Sequence, residues 1–206
     1  MKALTIWQPW ASLIMIGAKP FEFRRWDYRE RERALEGQRI VIHAGVRPIV
    51  RDEVEDMLDQ VESGESSLRG GVRPDSAAPL LKKLIEGLDA RDAAMPGYRS
   101  ALGLYHARRH RPRMIGDVEL ERPQKPEVGF LPLAAGLGTA VLGRPRRVTE
   151  LFRGSPDSDR LDRHMWAWPL TDLDVWMPPV PMRGAQGFWH WSGGERRRVS
   201  MGVHNG

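Results

Sequence analysis

Within six residues the chain sets down a lysine, a glutamate and an arginine: Lys19, Glu22 and Arg24, in the segment GAKPFEFRRW of residues 17 to 26. The ammonium and the guanidinium suit phosphate oxygens or a base carbonyl, the arginine as a two-pronged donor and the lysine as a point charge. The carboxylate can accept from a base amino group or take up a proton. In a desolvated site the lysine loses affinity for its proton and can itself act as a base. Trp7, Trp10 and Trp26 surround the cluster in sequence, and stacking on a base is worth roughly 1–3 kcal/mol. Gln8 carries an amide of the kind that reads a base edge. Each group also has a structural reading. Lys19 can pair with a helix C-terminus, Glu22 and Arg24 can be an ion pair that closes the fold, the tryptophans can be core, and Gln8 can be a helix-start residue.

Other chemistry-bearing residues are sparser. His43 ends an apolar run and is a candidate general acid or base near neutral pH, or a hydrogen-bonded structural histidine. His190 alternates with Trp189 and Trp191 and is read as outward-facing. His106 and His110 have the i, i+4 spacing of half a metal site. Their neighbours in HARRHRPR repel a cation, so no metal is expected. RRHRPR (108–113) and RPRR (144–147) read as basic patches for a phosphate backbone or as solvated loops. The chain contains no nucleophile elbow, P-loop or dinucleotide fingerprint, so no cofactor is expected. It has no cysteine, which excludes disulfides, thiolate metal sites and a cysteine nucleophile, and cytoplasmic localisation is the expectation.

The elements that must position these groups follow from pattern. Residues 2–7, KALTIW, read as a strand, and Gln8-Pro9 opens a helix, since proline suits a first turn. The helix runs through WASLIMI and ends at Gly17. PFEFRRW alternates, with Phe21 and Phe23 on one face and Glu22, Arg24 and Trp26 on the other. RERERALEGQ is a charged connection, and RIVIHAG, 39–45, a buried strand. Val54, Met57, Leu58 and Val61 share one helical face. Residues 63–79 read as a loop by composition, LLKKLIEGLDA as a short helix, and YRSALGLYHARRHRPR (98–113) as another. Strand signals return at 137–151, at 164–177 and at 186–191. Prolines 178, 179 and 181 predict a crossing between the last two strands.

Three of the eight tryptophans lie in residues 7–26 and five in 166–191, so the two ends of the chain are expected to build one core. The expected fold is α+β and mainly β: a small β-barrel with an N-terminal helix at one end. It forms a single domain over 1–192, with a helical and loop insertion at about 50–130 and a frayed tail at 193–206.

The cluster also carries a resemblance. Gly17, Lys19, Glu22 and Arg24 fall in the order glycine, any residue, lysine, two residues, glutamate, one residue, arginine. Gln8-Pro9-Trp10 precedes them and Gln186-Gly187-Phe188-Trp189 closes the chain. On these residues the sequence resembles bacterial ASCH domains, relatives of PUA-like RNA-binding barrels, over 1–46 and 137–192. The resemblance implies a six-stranded PUA-like barrel with a cleft beside the helix, and RNA or nucleobase binding. Some relatives are described as ribonucleases. Others are small amidohydrolases that remove acyl groups from cytidine nucleosides. In those a threonine stands where Glu22 stands here, a departure from threonine-nucleophile chemistry.

Net charge is +5, with arginine dominating the cations, which suits a phosphate-bearing partner or follows simply from base composition of the gene. No apolar run approaches the roughly 20 residues of a membrane helix, and the N-terminus does not read as a signal peptide. Three functions compete. In the first, Gln8, Trp10, Lys19, Glu22, Arg24 and Trp26 bind RNA or a modified nucleobase without chemistry. In the second, the same cleft is a hydrolase, either a metal-independent ribonuclease or an N4-acylcytidine amidohydrolase. Lys19, Glu22 and His43 then share proton transfers while Arg24 holds charge. In the third, the insertion docks a protein partner of unknown identity.

Overall fold

The N-terminal segment alternates inward Leu4 and Ile6 with Ala3 and Thr5, and forms strand β1 (Lys2–Ile6). In this computed structural model, which describes residues 1–63, 71–94, 131–151 and 165–193, β1 runs beside β3 (Arg39–Ala44) in parallel and beside β7 (Phe188–His190) in antiparallel register. Between them come α1 (Trp10–Met15), β2 (Phe21–Arg24) and α2 (Arg29–Glu32), the last followed by a single tight turn. Two longer helices, α3 (Arg51–Ser63) and α4 (Pro74–Ala94), precede β4 (Ala135–Leu142), β5 (Arg146–Arg147), α5 (Val148–Leu151) and the long β6 (Trp166–Pro181).

The strands form one curled sheet in the order β2-β6-β4-β3-β1-β7, with β5 beside β6 off this path. Among the described residues the order does not close through hydrogen bonds. Rings bridge the gap instead: Trp26 and Tyr28, which follow β2, meet Phe188 of β7 edge-on at 6.4 and 6.0 Å between centroids, and Trp168 stacks on Phe188 at 5.6 Å. The fold is therefore mixed α and β with a half-barrel sheet. Tryptophans from both ends of the chain share its interior, as their distribution predicts. Trp168 is fully buried there, with Trp10, Trp26 and Trp166 packed around the same cluster. The Tyr28 hydroxyl donates to the Gly143 carbonyl at 3.0 Å, and burial pushes its pKa up to about 12.

A second apolar cluster lies on the far side of α1. Leu13 and Ala18 meet Val54, Met57 and Val61 of α3 and Ala77, Leu81, Leu84 and Leu88 of α4. The helical face read from residues 54–61 is thus the buried one, with Leu58 at its margin. The loop expected at 63–79 is shorter than its composition implies, because α4 already begins at Pro74. Proline at a helix start loses no intrahelical hydrogen bond, and Asp75 complements the N-terminal dipole. Pro79 is then carried inside the helix, where the burial of its neighbours Ala77 and Leu81 outweighs its missing N–H.

The proline-rich stretch also differs from expectation. Residues 178–181 do not cross between strands but continue β6, pairing Val180 with Gly136 and Pro181 with Ala135. Among the described residues this half of β6 has only β4 beside it, so prolines sit on a sheet edge where absent N–H groups are tolerated. The run 137–151 is not one strand: it stops at Leu142 and resumes as the two-residue β5 and the short α5. The helix expected at 98–113 and residues 194–206 of the tail lie outside the described residues.

Candidate functional site

Gly17 shapes the start of the site. It adopts φ +75°, a left-handed conformation that stops α1 without steric cost. The chain then folds back so that the Lys19 amide donates to the Leu13 carbonyl at 2.9 Å, and the lysine side chain is aimed along β2. Lys19 Nζ lies 2.8 Å from Glu22 Oε2 and also donates to the Phe21 carbonyl. Both side chains are nearly enclosed, 5% and 9% exposed. The ammonium stands over the rings of Phe23 at 5.3 Å and Trp10 at 5.8 Å.

Arg24 approaches from the other side. Its Nε is 2.9 Å from Glu22 Oε1, an ion pair by distance, though the N–H is not aimed well enough to count as a hydrogen bond. Its terminal nitrogen donates to the Thr5 carbonyl at 3.3 Å. Glu22 is thus bracketed by two cations, one per oxygen. Two cations against one carboxylate leave the cluster one positive charge in excess. Arg24 is the member that reaches solvent, with 32% of its side chain exposed.

These residues line a cleft of about 550 Å³, completed by Thr5, Ile6, Trp7, Trp10, Phe23, Trp26, Gln186 and Gly187. The cleft lies between α1, β2, the end of β1 and the entry to β7, at one end of the aromatic seam. It has the size of a small-ligand site, with apolar walls and a few convergent polar groups.

Of the residues singled out in the sequence, Trp7, Trp10, Lys19, Glu22, Arg24 and Trp26 come together here. Gln8 does not. It is 2% exposed, its carbonyl oxygen accepts from the Ser12 amide at 3.1 Å, and its amide nitrogen donates to Pro132 O at 3.0 Å. Both ends are spent tying the start of α1 to the segment before β4, which leaves no edge for a base.

His43 is also elsewhere. It belongs to the outer layer of the sheet and is wholly buried. Its Nε2 donates to the Met182 carbonyl at 2.9 Å, and this fixes the tautomer. Nδ1 then accepts from the Thr5 hydroxyl at 3.2 Å, and Thr5 Oγ1 accepts in turn from Trp189 Nε1 at 3.0 Å. Burial holds the imidazole below its usual range, partly offset by the Met182 hydrogen bond. This is the structural histidine of the two readings. His190 is exposed, as expected. His106, His110 and the basic run 108–113 lie outside the described residues, whereas Arg144, Arg146 and Arg147 are exposed on the turn and strand after β4.

Gln186 and Gly187 are cleft residues that the sequence did not single out as such, and Trp7, one of the three tryptophans read as a stacking surface, joins them. Trp7 is 56% exposed, and the Arg47 guanidinium lies 4.6 Å from its ring centroid. Its signal was its position immediately after the inward Ile6 at a strand end, where an apolar side chain turns outward. Gln186-Gly187 stood out only as an ending to the fold, because nothing local in sequence places residue 186 beside residue 24. No family model matches the chain, and no curated protein matches it either.

Proposed function

We propose that the cleft binds a nucleobase with its adjoining phosphate, as part of RNA or as a modified nucleoside, in the manner of the PUA-like ASCH domains that the motif resembles. The observation that carries the reading is the arrangement of Lys19, Glu22 and Arg24. A buried cation and carboxylate present fixed donors and acceptors beneath tryptophan faces, and an arginine at the opening carries the surplus charge. A base offers a flat face for Trp7, Trp10 or Trp26 and polar edges for Glu22 and Lys19. Its phosphate meets Arg24. Gln186, exposed on the rim, takes the edge-reading part first given to Gln8.

Binding without turnover is favoured over hydrolysis. Both oxygens of Glu22 face cations, so neither is open to take a proton from substrate. Lys19, the other acid–base candidate of the cleft, is held by Glu22 and the Phe21 carbonyl, and among the described residues no histidine lines the cleft. The test is a titration of labelled single-stranded RNA and of nucleoside monophosphates, with chelator present, followed by denaturing electrophoresis. Arg24→Gln is the variant of choice, because Arg24 is partly exposed. A complex with intact RNA, weakened in the variant, is expected. Metal-independent cleavage lost in the variant would overturn the reading in favour of the hydrolase.

A further inference from the structure

Two walls of the cleft are tied together from the outer layer of the sheet by one imidazole. His43 of β3 stands beside Thr5 of β1 in the parallel register. Thr5 lines the cleft, and its carbonyl accepts from the Arg24 terminal nitrogen at 3.3 Å. Its hydroxyl donates to His43 Nδ1 at 3.2 Å while accepting from Trp189 Nε1 at 3.0 Å. The second wall, Gln186 and Gly187, belongs to the connection from β6 to β7. The Met182 amide donates to the Ala134 carbonyl at 2.8 Å, which fixes where that connection begins. The Met182 carbonyl accepts from His43 Nε2 at 2.9 Å, which fixes the direction in which it leaves. Gly184 then lies so close to the ring that a Cβ there would collide with it.

These contacts require the neutral ring. A neutral imidazole has one N–H, here given to Met182, and one acceptor nitrogen, here given to Thr5. A proton on Nδ1 turns that acceptor into a donor. Thr5 Oγ1 then faces two N–H groups, and its own hydrogen loses its acceptor. The conflict is relieved by moving Thr5, and Arg24 with it, or by letting the connection that carries Gln186 and Gly187 shift off the ring. Among the described residues the ring is faced by Thr5 of β1, Trp189 of β7, Met182 and Gly184 of the connection and Gly136 of β4, none of them titratable. Arg183, between Met182 and Gly184, is exposed, and a guanidinium does not titrate near neutral pH.

Resting on the proposed nucleobase reading, we infer that His43 is the positioning residue of the cleft. The neutral imidazole sets Thr5, and through it Arg24, against the wall of Gln186 and Gly187, and ligand is held less tightly once the ring takes a second proton. His43 touches no ligand in this arrangement and acts only through the two walls it joins.

The experiment measures affinity for a short labelled single-stranded RNA and for nucleoside methyl phosphates from pH 8 to 5, on the wild type, His43→Gln and, as control, His190→Gln, which removes an exposed histidine. Both probes are phosphodiesters, free of the second ionisation near about pH 6 that a phosphate monoester carries. Melting temperatures at each pH confirm folding. The wild type is expected to bind several-fold more tightly than His43→Gln at pH 8, and to lose that advantage at the acid end. His190→Gln is expected to follow the wild type throughout. Linkage supplies a second readout that needs no variant: ligand must make His43 harder to protonate by the factor by which protonation weakens binding. The His43 ring titration, followed by NMR in the wild type, is therefore expected to move to lower pH under saturating ligand. A wild-type advantage that is absent or equal at both ends of the range, or a His43 ring that does not titrate or is unmoved by ligand, overturns the positioning role and leaves the nucleobase cleft standing. A wild type that binds neither probe at pH 8 overturns both.

Discussion

Lys19 Nζ and Glu22 Oε2 stand 2.8 Å apart in a place where neither side chain is more than a tenth exposed. A pair of that kind brings little net stability as a pair, because both ions have given up water. Removing one partner is another matter. Lys19→Met strands a buried carboxylate with only Arg24 to answer it, and is expected to cost about 3 kcal/mol, the low end of the range for breaking a buried pair. The double variant Lys19→Met/Glu22→Leu is expected to recover most of that loss. Urea unfolding of the two singles and the double closes the cycle. A Lys19→Met cost within that of a surface ion pair, under about 1 kcal/mol, would contradict this.

Trp7 offers the opposite case, a cleft residue with little stake in the core. Trp7→Ala is expected to leave the melting temperature nearly unchanged while weakening nucleotide or RNA binding by roughly 1–3 kcal/mol. Trp168→Ala, which empties the middle of the interior, is expected to cost about 3–5 kcal/mol of stability. Thermal melts beside binding isotherms separate the two. Equal effects of Trp7→Ala on both would mean that its ring is structural.

The His43 imidazole makes stability depend on pH with a definite sign. Its folded-state pKa lies below the ordinary 6.5, because burial disfavours the cation. The unfolded chain therefore binds more protons, and the contribution of His43 is fully present above pH 6.5 and lost as pH falls through the folded value. Every group facing the ring agrees. Met182 O takes the Nε2 proton, the Thr5 hydroxyl needs Nδ1 as acceptor, and Trp189 already donates to Thr5. Denaturation midpoints measured from pH 8 to 5 are expected to fall, and to fall less in His43→Gln. A slope unchanged by that substitution would place the dependence elsewhere.

Two glycines of one connection separate crowding from backbone strain. A Cβ on Gly184 would come within 2.4 Å of His43 Cε1, 2.6 Å of its Nδ1 and 2.8 Å of Thr5 Oγ1. Gly184→Ala is expected to cost roughly 1–3 kcal/mol through overpacking of the histidine layer. Gly187 has φ +68° and open space around it, so Gly187→Ala is expected to cost about 1–2 kcal/mol from conformation alone. Because Gly187 also lines the cleft, its variant is expected to change ligand affinity, read by the same titrations.

Much of this was legible in the sequence because the signals were local. Alternation placed Glu22, Arg24 and Trp26 on one face, and Gly17 marked the helix end that aims Lys19. The misreadings were non-local. Gln8 stood open between a base-edge reader and a helix-start residue because nothing near it announces Pro132 as its acceptor. His43 stood between a structural and an acid–base role in the sequence because its partners Met182 and Trp189 arrive from the other end of the chain. Composition made 74–79 a loop, whereas Ala77 and Leu81 find an apolar surface on α1 only in three dimensions. Prolines 178–181 implied a break because an edge strand cannot be told from a central one by its own residues.

The open seam between β2 and β7 bears on how the protein is made. One wall of the cleft comes from residues up to Trp26 and the other from Gln186 and Gly187. On that edge β1 waits for β7, since it takes Phe188, Trp189 and His190 as antiparallel partners. Contacts so distant along the chain form late, after most of the loop-closure entropy has been met. During synthesis, then, a nascent chain that already bears Lys19, Glu22 and Arg24 still lacks a complete cleft until Gln186 and Gly187 have been made.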